Sequence, residues 1–117
     1  MTFSFSIIQK EPVQIIGLYG QLIEKSAASE LVQYLDDAFD SGSARIVLDL
    51  SELKYMNSSG LNLLISIMTK ARKAEGDVVL ACISDKIREL LLITKLNTVF
   101  TCTETIDEAV SSLSNTQ

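Results

Sequence analysis

The chain contains no histidine. The commonest general base and the commonest metal ligand are therefore missing, which argues against triad-type hydrolysis and most zinc chemistry. Cysteine is scarce: Cys82 and Cys102 stand apart, with no metal-site spacing around them. Both lie in apolar, strand-like segments and are expected to be buried free thiols, a disulfide being the alternative. No basic block exists, and 10 Lys and Arg face 15 Asp and Glu for a net charge of −5. Nucleic acid is not an expected partner. The apolar stretches break well short of a membrane span, and no basic-then-apolar leader opens the chain. The expectation is a soluble, cytoplasmic protein with no direct membrane insertion. Linkers, low-complexity tracts and solenoid-spaced repeats are also missing, so residues 1–117 are expected to form a single domain.

What is present is material for one core. Hydrophobic residues make up 47% of the chain and charged residues 21%, which excludes disorder. Phe3, Phe5 and Ile7 alternate with Ser4 and Ser6, the period of a half-buried strand over Phe3–Gln9. Lys10-Glu11-Pro12 predicts a turn, and Val13–Tyr19 a second strand in an antiparallel hairpin with the first. A helix follows, with Ser26 as its expected N-cap, a stripe of Leu31, Leu35, Ala38 and Phe39, and a stop at Ser41-Gly42. Ala44–Leu50 and Val78–Cys82 are almost wholly apolar, as strands covered on both faces are.

Between those two strands, Leu61, Leu64, Ile65 and Met68 recur at helical spacing. Lys70, Arg72 and Lys73 suit the negative end of that helix, and Gly76 is expected to end it. Ser84 can cap a short helix through about Thr94. Its Leu90-Leu91-Leu92-Ile93 run is apolar all round, which suits deep packing or a contact surface. Val99–Cys102 suits a last strand. Thr105 and Glu108 have capping-box spacing ahead of a helix striped by Ile106, Ala109, Val110 and Leu113. The fold class is α/β: a mixed, mostly parallel sheet of about four or five strands with about four helices.

The most informative stretch is Met56-Asn57-Ser58-Ser59-Gly60-Leu61. It sits where a strand gives way to a helix N-terminus. Free backbone N–H groups and the helix dipole favour negative charge there. One reading is capping by a serine. The other is phosphorylation, which adds a charge of about −1.5 to −2 and three acceptor oxygens. The domain tolerates such a group at that end of a helix, whereas a docked partner is repelled. Other candidates are blander. Asp49 ends a strand, but no acidic pair accompanies it to hold magnesium. Glu52 and Lys54 read as a solvated loop before the motif. Gly17 and Gly20 are badly placed for a dinucleotide loop.

On Asn57-Ser58-Ser59-Gly60-Leu61 between strand and apolar helix, the chain resembles the Asp-Ser-Ser/Thr-Gly-Leu signature of STAS domains. Bacterial anti-sigma factor antagonists look closest. Tyr19-Gly20-Gln21-Leu22 is similar to that family's Gly-Glu-Leu-Asp segment. Ile93-Thr94-Lys95-Leu96 with Val99-Phe100 is similar to its Leu-Thr-Gly-Leu region. The resemblance covers nearly the whole chain.

The resemblance implies a non-enzymatic switch. The unphosphorylated antagonist binds a serine-kinase-type anti-sigma factor and frees a sigma factor. The kinase then phosphorylates the antagonist, and a phosphatase restores it. Ser59 matches the phosphoacceptor, with Ser58 as fallback. Contact with the partner is expected at Asn57, Ser58, Ser59, Gly60 and Asn62. No cofactor and no metal are implied. Two family acids are replaced, one by Asn57 and one by Ile23 with Glu24 beside it. Asn57 can hydrogen-bond but carries no charge. A STAS subunit of a larger assembly, such as a lipid-transport ATPase complex or a signalling scaffold, is the alternative reading. A small enzyme or nucleotide binder using Ser59 is a third, disfavoured by the missing histidine and paired carboxylates.

Overall fold

The alternation of short apolar runs with amphipathic stripes forms one sheet with helices on both faces. The structure, a computed structural model, describes residues 3–10, 12–23 and 28–114. In chain order these form β1 (Phe3–Lys10), β2 (Val13–Leu22), α1 (Ser29–Asp40), β3 (Arg45–Met56), α2 (Ser58–Lys73), β4 (Asp77–Ala81), α3 (Asp85–Ile93), β5 (Thr101–Thr103) and α4 (Ile106–Ser114). The five strands lie side by side in sequence order. β1 and β2 are antiparallel, and every later pairing is parallel.

Sequential parallel strands joined by right-handed crossovers place their connecting helices on one face. Accordingly α1, α2 and α3 share one core with Ile16, Leu18, Ile46, Leu48, Val78 and Leu80. The alternate residues Ile15, Val47, Val79 and Ala81 point the other way, onto Ala109 and Leu113 of α4. This is why β3 and β4 read as unbroken apolar runs: both of their faces are covered. One polar side chain is buried among the described residues. Gln14 donates to Ser43 Oγ at 2.6 Å and accepts from the Tyr34 hydroxyl, so it is satisfied.

Several boundaries differ from the sequence expectation. β2 runs on to Leu22 and β3 to Met56, past Tyr19 and Leu50, because each pairs with the other through Gln21↔Tyr55 and Leu22↔Met56. Glu52 and Lys54 therefore lie on a strand, not in a loop, where they form an exposed ion pair at 3.6 Å. The β2–β3 register shifts between Gly17 and Tyr19 and again between Gly20 and Gln21, bulging β3 in the polar stretch that hid it. Ser26, Glu24 and Glu11 lie outside the described residues. The first helix begins at Ser29, with Ala28 in the cap position and no side-chain cap. The last strand is Thr101–Thr103, and Phe100 is buried just before it.

The helix ends show local and non-local control side by side. Ser84 Oγ accepts from Ile87 N at 3.2 Å, as expected. The capping box forms both ways: Thr105 Oγ1 accepts from Glu108 N at 3.1 Å, and Glu108 Oε1 accepts from Thr105 N at 3.2 Å. After α2, however, Glu75 takes the left-handed conformation at φ 66°, not Gly76. Gly76 answers a different demand. A Cβ there would lie 2.0 Å from the Ala44 carbonyl oxygen.

Cys82 packs against the α4-side core and Cys102 against the three-helix side, and both are free thiols. Both are partly exposed, less buried than expected. None of the helices described is long and apolar enough to cross a membrane.

Candidate functional site

The parallel order of β2 and β3 brings the end of β2 beside the start of α2. There Asn57, and neither serine, is the N-cap. Its backbone is extended, at φ −106° and ψ −171°, and its Oδ1 accepts from Gly60 N at 3.0 Å. Its carbonyl accepts from Leu61 N at 2.9 Å. The other end of the amide is used too: Nδ2 donates to the Ile23 carbonyl at 3.2 Å. The Asn57 N–H reaches the Leu22 carbonyl at 3.4 Å. One residue thus closes the first turn of α2 and ties it to the end of β2. A carboxylate could cap the helix equally well, but it has no proton for the Ile23 carbonyl.

Gly60 completes the junction. A Cβ there would stand 2.1 Å from the Leu22 oxygen and 2.9 Å from Met56 Cγ. Only glycine lets α2 approach the strand end so closely. The requirement is space and not a left-handed backbone.

With Asn57 as cap, Ser58 and Ser59 fall in the first helical turn, not at the cap. Both are exposed, and their hydroxyls have no hydrogen-bond partner among the described residues. Their N–H groups are the first two of the helix, which lack intrahelical acceptors. No acidic residue occupies that turn. An anion on either hydroxyl meets the positive end of the dipole, an interaction of about 0.3–1 kcal/mol at an exposed site.

Of the five residues expected to meet a partner, Ser58, Ser59 and Asn62 are exposed. Gly60 is buried, and Asn57 is half-buried with both amide ends engaged. Two apolar residues that the sequence did not single out for contact adjoin the turn: Tyr55 stands two residues before Asn57, and Ile23 offers its carbonyl to the Asn57 amide. Ile23 is 38% exposed and Tyr55 50%.

No other cluster among the described residues suggests chemistry. No group of three or more metal-capable side chains forms there. Asp49 Oδ1 accepts from Ser51 N at 3.0 Å and lies near Cys82. Burial, reinforced by Asp49, raises the Cys82 thiol pKa above its ordinary value. Burial also raises that of Cys102, against a lowering influence from Arg88. Lys70 and Arg72 are held by Asp36 and Asp77, each at 3.0 Å, and form no anion site.

The STAS domain family matches residues 4–109, which takes in nearly all of the sheet, the turn and the first part of α4. The chain belongs to the STAS domain family. Proteins named as anti-sigma factor antagonists are among those similar to it. BtrV of Bordetella bronchiseptica, by name a candidate anti-sigma factor antagonist, is 28% identical over 86 residues, 74% of each chain. A Thermotoga maritima protein described in the same terms superposes with a TM-score of 0.85 at 21% identity, covering 95% of both chains. SpoIIAA of Bacillus in its phosphorylated form superposes at 0.74 with 22% identity, over 93% of this chain and 98% of that one. At those identities the two structures speak for the fold. STAS domains of anti-sigma factor antagonists are regulatory modules without catalysis of their own.

Proposed function

We propose that this STAS domain is a phosphorylation-switched anti-sigma factor antagonist. Unphosphorylated, it binds an anti-sigma factor of the serine-kinase type and releases a sigma factor. The kinase phosphorylates Ser59, with Ser58 as fallback, and a phosphatase resets the cycle in the cytoplasm. One observation carries the proposal. Ser59 presents an exposed hydroxyl in the first turn of α2, on a backbone clamped by Asn57 and seated closely by Gly60. The clamp means a phosphate alters charge and shape at the surface without refolding the domain. That a similar protein, SpoIIAA, is known in a phosphorylated form supports the same reading.

Incubation with the cognate kinase and ATP, followed by mass spectrometry, tests it. Label is expected on Ser59 and lost in Ser59→Ala. Ser59→Asp is expected to weaken kinase binding by about tenfold or more, as a charge buried without a partner does. Label on neither serine, or unchanged affinity in Ser59→Asp, would refute the switch.

A second reading has its own observation. Leu92 and Ile93 of α3 are 56% and 71% exposed, an apolar surface that suits a STAS subunit of a larger assembly such as a lipid-transport ATPase complex or signalling scaffold. Co-purification with an ATPase in place of a sigma-regulating kinase would select it.

A further inference from the structure

The sheet has two edges, and they differ. β5 closes one with three residues, whereas β1 forms the other with eight and pairs with β2 alone. The β1–β2 register continues from Phe3↔Gly20 to Lys10↔Val13 without a bulge. Every second residue of β1 therefore turns its N–H and C=O away from β2, toward no strand described. The devices that usually blunt such an edge are sparse. Lys10 is the only charge on β1, at its very end.

The side chains repeat the pattern. Phe3, Phe5 and Ile7 pack against the three-helix core but are only half-buried, whereas Ile16 and Leu18 on β2 are fully buried. At an edge, half burial means one flank is covered and the other is open. On the opposite face Ile8 is 60% exposed.

We propose that β1 pairs antiparallel with β1 of a second copy of this chain, about a two-fold axis at Ser6, joining two sheets into one. A strand and its copy are complementary by symmetry, so no other sequence is needed. Directly opposed residues of an antiparallel pair share a face, so a two-fold axis normal to the sheet sets core-side residues against core-side residues. The axis at Ser6 overlaps Phe3–Gln9 and sets Phe5 against Ile7 of the second copy, twice. Aromatic and β-branched residues make favourable cross-strand pairs. Ser4 then opposes Ile8, and Lys10 stays beyond the seam. An axis at Phe5 shortens the overlap, and one at Ile7 draws Lys10 in and sets Phe5 against Gln9.

Such a seam is roughly 20–25 Å long, at the small end of specific interfaces, so the dimer is concentration-dependent. The symmetry sends the parallel strands of the two copies in opposite directions. The two Ser59 turns lie at opposite ends of the joined sheet, and both stay open. The proposal does not depend on the switch reading.

Sedimentation of the full chain from micromolar to millimolar concentration tests it, with amide exchange read on β1. Wild type is expected to pass from monomer to dimer, with β1 amides slowing as concentration rises. Ser4→Lys/Ile8→Lys sets like charges across the seam at exposed positions and is expected to weaken association about tenfold or more. Ser4→Glu/Ile8→Lys sets opposite charges in the same register and is expected to restore the dimer. A wild type that stays monomeric with unchanged β1 exchange overturns the proposal. So does a double-lysine variant that dimerises as wild type does. A Glu/Lys variant no better than the double lysine overturns the Ser6 register.

Discussion

At the scale of single residues, the junction between β2 and α2 depends on two small groups with different duties. Gly60 is there for space. Ala at that position would force α2 off the Leu22 carbonyl, and a cost of about 3 kcal/mol follows from overpacking at backbone. Chemical denaturation is expected to show a lower midpoint for Gly60→Ala with an unchanged slope. Asn57 is there for hydrogen bonds. Asn57→Ala removes the cap and the tie to Ile23, and should cost about 1–2 kcal/mol. Asn57→Asp keeps the cap and gains charge at the dipole's positive end, but loses the donor to Ile23. Those terms oppose each other at about 1 kcal/mol each, so a net change within about 1 kcal/mol is expected in the same assay. The cap was hard to assign from sequence because three consecutive residues, Asn57, Ser58 and Ser59, all have cap-competent side chains. The position of the Leu22 and Ile23 carbonyls favours the amide.

At the scale of elements, amphipathic stripes were read well wherever the helix faces one core. In α1 the expected stripe of Leu31, Leu35, Ala38 and Phe39 is the buried set. In α2 the stripe is wider than expected, adding Leu63, Ile67 and Ala71, while Ile65 is only half-buried. In α3 the all-apolar run divides: Leu91 is buried, whereas Leu92 and Ile93 face outward. The division predicts unequal costs. Leu64→Ala, at a fully buried position, should lose about 2–5 kcal/mol of stability. Ile93→Ser, at a 71% exposed position, should stay within about 0.5 kcal/mol in the isolated protein. Thermal or denaturant unfolding of both variants checks the contrast.

At the scale of the whole molecule, the sheet separates two cores, and the cysteines divide between them. Their thiol pKa values lie above the ordinary value of 9.0, chiefly through burial. In the unfolded chain the thiols ionise at lower pH than in the folded one. Their contribution to stability is therefore fully present below the unfolded pKa and is lost as pH rises through the folded values. Stability measured from pH 7 upward should fall across that alkaline window in wild type. It should fall less in Cys82→Ser/Cys102→Ser. Alkylation at pH 7 should be slow for both thiols, because the thiolate is the reactive form.

The alternation of strands and helices, the hairpin, the stripes and the caps at Ser84 and Thr105 were determined by the sequence alone. Each depends on residues within a few positions of one another, where period and cap chemistry are visible. The STAS signature was legible for the same reason, as a short run at a strand–helix junction. The tertiary structure decided the rest. β2 and β3 extend through polar residues because each supplies the other's hydrogen bonds. Gly60 and Gly76 are required because the carbonyls of Leu22 and Ala44, distant in the chain, arrive against them. Three helices gather on one face because successive crossovers share one hand, leaving α4 alone on the other. These are demands made by neighbours in space, and a local pattern in the chain holds no record of them.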